Sequence, residues 1–341
     1  MRGPIALLFC VSGFRFGGFF TFTEHLYRSF RQQGYEPQLL RLTQRTETRL
    51  RPFRGDVLYQ NMALADALAL VCTMPSLICC AYLRGDMLTA VPALLRAGAG
   101  IVLHDPTEMT SDMLQILKHL RIQPVVIRKI NCQTLATHGI LAHHIPHPYV
   151  RMPRDRPFQA WYQRPAHALA LSRIDFDKHT DVIIQANTLL PSHRACRIYG
   201  EENRIYTHHT LDAKYAGWRQ WYKGSFPAVP WAGVALAAQA RYIVDMSQIK
   251  RDGGGTQYTF LEAWDAGASL IVHSKWLIPG GTIQNDVNAL AVENAEQLAA
   301  VLRDGADTPA LHQAGEAILR AHAPQQVIPA YAAYFAGRKS F

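Results

Sequence analysis

Short apolar runs alternate with amphipathic stretches along this chain, and the alternation occurs twice with one interruption. Runs of this length joined by helical periods are the pattern of βα units that feed a parallel sheet. In the first half, residues 5–11, 38–42, 56–60, 77–82, 100–104 and 124–128 read as strands. The stretch 21–33 reads as a helix closed by Gly34, a residue suited to the left-handed turn that ends helices. Residues 144–165 then carry five prolines and four arginines, a density that sustains neither a helix nor a central strand. In the second alternation, strands are expected at 168–173, 196–200, 242–245 and 269–273, and helices at 180–189, 257–266 and 295–302. The remaining residues, 310–341, read as helices. The pattern predicts a doubly wound domain over 1–150, a linker over 151–166, a second doubly wound domain over 167–320, and a helix at 321–341 packing back on the first domain.

Size and composition agree with that division. At 341 residues the chain is longer than one hydrophobic core usually grows, and two domains of roughly 150 residues each are the natural expectation. Apolar residues make up 49% and charged residues 18%, and no apolar stretch approaches the roughly 20 residues that span a bilayer. The opening MRGPIALLFCVSGF superficially resembles a signal peptide but lacks a small-residue cleavage site, and it reads as the first strand. Cys10, Cys72, Cys79, Cys80, Cys132 and Cys196 are scattered without CxxC spacing among mostly apolar neighbours, as expected of reduced core thiols in a cytoplasm. With 35 Lys+Arg against 26 Asp+Glu, the chain is biased toward a polyanion such as nucleic acid, an anionic membrane or a phosphorylated substrate.

Two doubly wound domains place ligands at the carboxyl ends of their strands, so an interdomain cleft is the expected site. The loop at 12–19 contains Gly13, Gly17 and Gly18 and runs into a helix, which lets backbone N–H groups approach a phosphate. After the first strand of the second domain, Arg173 and Lys178 precede a helix, and two cations there can neutralise a diphosphate leaving group. Gly253, Gly254 and Gly255 lead into a further helix with Tyr258, Thr259 and Glu262 in its first turns. A carboxylate so placed can accept hydrogen bonds from a ribose.

These pieces, in this order, resemble the donor half of retaining GT-B glycosyltransferases, whose usual pattern is strand, Arg, Lys, helix and then a Glu-x7-Glu segment. Glu262 matches the second glutamate, whereas Gly254 occupies the place of the first. Within that class the chain is most similar to the DNA α-glucosyltransferases of T-even bacteriophages. The matching segments are the glycine-rich start, QQGYEPQLL, His104-Asp105, SRIDFDK, Cys196-Arg-Ile-Tyr199-Gly200 and Tyr258-Thr259-Phe-Leu-Glu262. The resemblance implies a GT-B fold and a donor, UDP-glucose, bound by Gly17, Gly18, Arg173, Lys178, Tyr258, Thr259 and Glu262. It further implies that His104 and Asp105 line the acceptor side of the reacting carbon, that no cofactor is permanently bound, and that the acceptor is 5-hydroxymethylcytosine or a related base of duplex DNA. The location it implies is cytoplasmic, in a host cell if the chain is phage-encoded.

Arg41, Arg45, Arg49, Arg51 and Arg54 lie in one stretch with a single glutamate and suit a phosphate backbone. Trp218, Arg219 and Trp221 mix aromatics with a cation, as a platform for a flipped base would. A solvated loop and a core-packing aromatic cluster remain equally open for these two segments. Asp175-Phe-Asp177 is formally a DxD but sits where a phosphate loop is expected, and His143, His144 and His147 lack the spacing of a helical metal pair. Two other functions fit the same residues: transfer to a lipid-linked glycan or protein, and DNA or glycan binding without catalysis.

Overall fold

The computed structural model describes residues 2–9, 18–79, 87–104, 106–155, 157–159, 163–227, 229–248, 255–305 and 309–338. The chain divides into two compact units, Met1–Val150 with Ala321–Phe341, and Arg151–Arg320.

Unit 1 begins β1 (Pro4–Phe9), α1 (Gly18–Gln32), β2 (Glu36–Thr43), β3 (Leu50–Arg54), β4 (Val57–Ala63) and α2 (Leu64–Val71). It continues β5 (Ser76–Ile78), α3 (Met87–Arg96), β6 (Gly100–Leu103), α4 (Ser111–His119), β7 (Val125–Val126), α5 (Lys129–Thr137) and β8 (His143–His144). The strands form an eight-stranded sheet in the order β3-β4-β2-β1-β5-β6-β7-β8. From β1 the chain winds outward through β2 and then returns to β5 on the other side of β1. The resulting switch point lies between β1 and β5. Residues Ile5–Phe9 are buried without alternation, which is why β1 is a continuous apolar run.

The Arg-rich segment is more than the solvated loop left open for it. Leu50–Arg54 is an edge strand, antiparallel to β4, with Arg51 opposite Tyr59 and Pro52 opposite Leu58. Proline is compatible with an edge, where its missing N–H leaves no ladder bond unmade.

Unit 2 contains β9 (Ala166–Leu171), α6 (Thr180–Thr188), β10 (Cys196–Tyr199), α7 (Arg204–Tyr206), α8 (Ala232–Ala237) and β11 (Ala240–Asp245). Next come α9 (Tyr258–Asp265), β12 (Ser269–His273), β13 (Leu290–Val292), α10 (Ala295–Asp304) and α11 (Pro309–Ala321). Its sheet is five-stranded and parallel, in the order β10-β9-β11-β12-β13. The chain moves from β9 outward to β10 and returns to β11 beside β9, so the switch point lies between β9 and β11. Arginines cap two helix ends of this unit: Arg194 donates to Leu302 O and Arg303 O of α10, and Arg164 donates to Ala266 O just after α9. Cations there complement the negative ends of the helices.

The final helix, α12 (Pro324–Arg338), belongs to unit 1. Val327, Ile328 and Tyr331 are buried, and the Tyr331 ring lies 5.9 Å from that of Phe30 in α1. Tyr334 Oη accepts from Ile101 N, and Arg338 donates to Ala99 O, which fixes α12 near the start of β6. Among the described residues, no helix is long and apolar enough to cross a membrane.

The described cysteines are free: Cys79 and Cys196 are buried, Cys132 is half-buried and Cys72 is exposed. The exposure of Cys72 corrects the expectation that it is a core thiol, since it caps the C-terminus of α2 instead. Burial pushes the Cys79 and Cys196 thiols up from the ordinary range. Cys10 and Cys80 lie outside the described residues.

Candidate functional site

The switch point of unit 2 gathers several of the expected donor residues. Beyond the end of β9 the chain passes Ser172 and Arg173 into a 3-10 turn, Phe176–Lys178, whose first N–H is capped by Asp175 Oδ1. Gly200, after β10, approaches so closely that a Cβ there would lie 2.8 Å from the Ser172 carbonyl carbon. Only glycine permits that approach, and it keeps the Arg173 loop tight against the sheet.

Arg173 is half-exposed and donates to Asp175 at 2.6 Å. Its second nitrogen lies 3.7 Å from Asp177 Oδ2, and Lys178 Nζ lies 3.9 Å from the same oxygen. The two cations therefore converge on one anionic oxygen. Lys178 is only 9% exposed, and its ammonium donates to Gln257 Oε1 at 3.2 Å. Gln257 is the residue before α9, and α9 has no side-chain N-cap bond. The helix thus presents its positive end beside the two cations.

Asp175 and Asp177 do not behave as a free carboxylate pair. Asp175 also accepts from Asn203, and Asp177 O accepts from Gln248 N, so both positions hold the loop together. Hydrogen bonds carry that loop across the switch point: Gln248 N donates to Asp177 O at 2.9 Å, and Thr259 Oγ1 donates to Leu171 O at 3.3 Å.

Glu262 stands one turn into α9, half-buried, with its carboxylate against Gly233 of α8. A Cβ at Gly233 would lie 2.6 Å from the Glu262 carboxyl carbon and 2.7 Å from Oε1. Tyr258 is buried at the start of the same helix, and Thr259 is half-buried and bonded to β9. His179 and Trp231 adopt left-handed backbone, φ 47° and 56°. His179 follows Lys178 and Trp231 precedes α8, so unfavourable conformations for non-glycine residues flank the site.

Unit 1 offers a second set at the carboxyl end of its sheet. His104 follows β6, is half-buried, and its backbone N–H donates to Glu108 Oε2 at 2.6 Å. The His104 ring lies 5.2 Å from the ring of Phe22 in α1, and a Cβ on Gly18 would be 3.2 Å from His104 Cε1. Gly18 and His104 are therefore neighbours. Gly17 and Asp105 lie outside the described residues, as do Gly253 and Gly254.

Sequence reasoning missed the polar layer near His104. His25 is buried, stacked at 4.8 Å on Tyr149, and accepts from Val150 N through Nδ1. His147 and His322 are buried with rings 4.8 Å apart, and His322 Nδ1 bonds His147 O at 2.7 Å. Burial, reinforced by Arg54 and Arg28, lowers His25 to about 3, and burial lowers His322 to about 4. Burial also holds His147 well below the ordinary imidazole range, with nearby His322, Arg128 and His104 adding to the effect. These imidazoles come from distant parts of the chain, and no local motif announces them.

The expected nucleic-acid residues separate into two groups. Arg45, Arg49 and Arg51 are exposed, although Arg51 pairs with Glu47 at 2.7 Å; Arg41 is half-buried on β2. Arg54 is committed within the fold, 3.2 Å from buried Glu24 and bonded to Thr21 Oγ1. The stacking role for Trp218 is corrected: it is 1% exposed, belongs to the core of unit 2, and donates Nε1–H to Asp212. Arg219 covers that ring at 4.8 Å and pairs with Glu202 and Asp212. A base cannot reach a ring that the core and Arg219 already enclose.

No protein-family model and no curated protein matches the chain. Solved structures do match. HepE of Anabaena, solved with UDP-glucose, aligns at TM-score 0.68 with 12% identity, covering 97% of this chain and 99% of its own. An alpha-glucosyltransferase solved with UDP and a DNA containing an HMU base aligns at TM-score 0.69 with 12% identity, covering 98% and 100%. The pneumococcal O-GlcNAc transferase GtfA, solved with UDP and GlcNAc, aligns at TM-score 0.68 with 10% identity, covering 100% of both chains. The chain has the GT-B glycosyltransferase fold.

Proposed function

We propose that this chain is a retaining glycosyltransferase that moves a hexose, glucose from UDP-glucose, onto a hydroxymethylated pyrimidine of duplex DNA. The observation that carries the donor half is the convergence of Arg173 and Lys178 on one carboxylate oxygen beside the start of α9. A diphosphate is the ligand such a site suits: two cations and a helix N-terminus neutralise charge that grows as the sugar carbon separates from the phosphate oxygen. Glu262 accepts from the ribose hydroxyls. On the acceptor side, His104 orients the sugar and Asp105 takes the proton of the acceptor hydroxyl as its oxygen bonds to the sugar carbon.

Two observations support DNA as acceptor: Arg45, Arg49 and Arg51 stand exposed near the sheet edge, and one structural neighbour was solved on DNA with an HMU base. The likeness to GtfA at an equivalent TM-score favours a second reading, in which the same donor site serves a glycan or protein acceptor.

Mass spectrometry of nucleosides, after incubating the protein with hydroxymethylcytosine or hydroxymethyluracil duplexes and a panel of UDP-sugars, tests the acceptor. A hexosylated nucleoside is expected. Transfer to a glycan or protein, with none to either duplex, would replace the DNA acceptor by the second reading. Absence of UDP binding and of UDP-sugar hydrolysis would remove the transferase reading altogether.

A further inference from the structure

Gln257 has an unusual set of partners for a residue that precedes a helix. Residues at that position commonly turn a side-chain oxygen onto the first helical N–H groups, but Gln257 makes no such bond. Its Oε1 accepts from Lys178 Nζ at 3.2 Å, and its Nε2 donates to Ser247 Oγ at 3.0 Å. We propose that Gln257 is a positioning residue for the donor, holding the Lys178 ammonium in place for the diphosphate while Ser247 anchors the other end of the amide. The proposal rests on the nucleotide-sugar reading of this site.

The chemistry of the two groups requires that orientation. An ammonium offers only donors, so only the carbonyl end of an amide can face it favourably. Ser247 Oγ accepts from Nε2 at the other end and so steadies the side chain in the orientation that the ammonium requires. Ser247 is itself buried and fixed on both sides of its backbone, donating from N to Asp245 Oδ1 at 2.9 Å and accepting at O from Trp276 Nε1 at 2.8 Å. Lys178 follows β9 and Ser247 follows β11, so Gln257 ties together the two strand ends that form the switch point. Asp177 at 3.9 Å is too far to accept a hydrogen bond from Lys178. The glutamine is therefore what directs the ammonium. A lysine stem otherwise loses considerable rotamer freedom when it is ordered, and holding it beforehand removes that cost from ligand binding.

Calorimetric titration of UDP and of uridine into the full chain distinguishes positioning from general support of α9. Gln257→Met keeps the volume and removes both hydrogen bonds. UDP binding is expected to weaken about tenfold, with uridine binding changed by less than about twofold, because uridine carries no phosphate. Ser247→Ala, which loosens the anchored amide, is expected to move UDP affinity in the same direction by a smaller factor. Equal weakening of UDP and uridine in Gln257→Met, or unchanged UDP affinity in both variants, would overturn the positioning role. A wild-type chain that binds no UDP would instead remove the underlying donor reading.

Discussion

Gly233→Ala places a methyl group where the Glu262 carboxylate now lies. The new carbon would sit 2.6 Å from the carboxyl carbon and 2.7 Å from Oε1, well inside the contact distance of about 3.5–4.0 Å. The obstructing atoms are the far end of a flexible side chain, so Glu262 can rotate away without moving the backbone. Gly233 is a helical residue in α8, outside the positive-φ positions. Alanine therefore gains about 0.5–1 kcal/mol of helix preference that offsets the rotamer cost. Stability in urea is expected to change by less than about 1 kcal/mol. Binding should respond differently under the proposed donor role of Glu262, because hydrogen bonds to a charged group contribute about 1.5–3 kcal/mol and a displaced carboxylate would forfeit those to a ribose. The UDP dissociation constant measured by calorimetry should rise about 10- to 100-fold. In a Glu262→Ala background the same Gly233→Ala change should have almost no effect, since the displaced group is gone. Unchanged UDP affinity in Gly233→Ala, or a full penalty persisting without Glu262, would refute the reasoning.

Asp177→Asn removes the carboxylate on which Arg173 and Lys178 converge, and UDP should bind about two- to tenfold more tightly because a competing anion is lost; calorimetry showing weaker binding would count against a diphosphate between these two cations. Asp265→Asn should destabilise unit 2 by about 2 kcal/mol in urea, since the buried carboxylate accepts from Met152 N and pairs with Arg151 and Arg154. Lowered imidazoles at His25 and His322 contribute stability that is complete above the unfolded value near 6.5 and is lost as pH falls toward their folded values. Each should remove about 2 kcal/mol between pH 7 and pH 5, which urea midpoints at the two pH values would reveal, and equal midpoints would contradict it. Changing Arg45, Arg49 and Arg51 together to Gln should lower the salt dependence of duplex binding by about three and leave folding intact, as fluorescence titrations at several salt concentrations would show.

Much of the fold was legible because strand and helix periods follow from local burial. The five residues Ser269–His273 are buried throughout and read as a strand at the same limits, and the helix over Thr180–Thr188 differs from expectation by one residue. β3 was hidden by Pro52, which reads as a breaker until the sheet edge is known. The placement of Arg173 and Lys178 was legible from spacing alone, since a strand, a loop and a helix start put both at the carboxyl end of β9. Gln257 was not, because its role depends on which way a side chain turns at a helix start. The buried histidines of unit 1 are joined by hydrogen bonds across sequence separations of 125 and 175, distances over which a local motif carries no information.

Trp218 and the arginines explain why a basic sequence is a poor guide to a nucleic-acid surface. A Trp-Arg-Gln-Trp-Tyr-Lys run has the same composition whether its rings face a base or a core, and here Arg219 lies over the Trp218 ring while Asp212 takes its N–H. Arg28 and Arg54 surround buried Glu24, Arg151 and Arg154 hold Asp265, and Arg164 and Arg194 donate to carbonyls at helix ends. These cations fasten elements together, so their positive charge contributes less at the surface than the formal net charge of +9 suggests. Exposed Arg45, Arg49 and Arg51 differ in kind: they occupy the turn and the edge strand, and of the three Arg51 is tied to Glu47, a neighbour on the same exposed segment. An acceptor carrying phosphates would therefore meet a small set of cations, and its affinity should be more sensitive to those three than to the basic residues elsewhere.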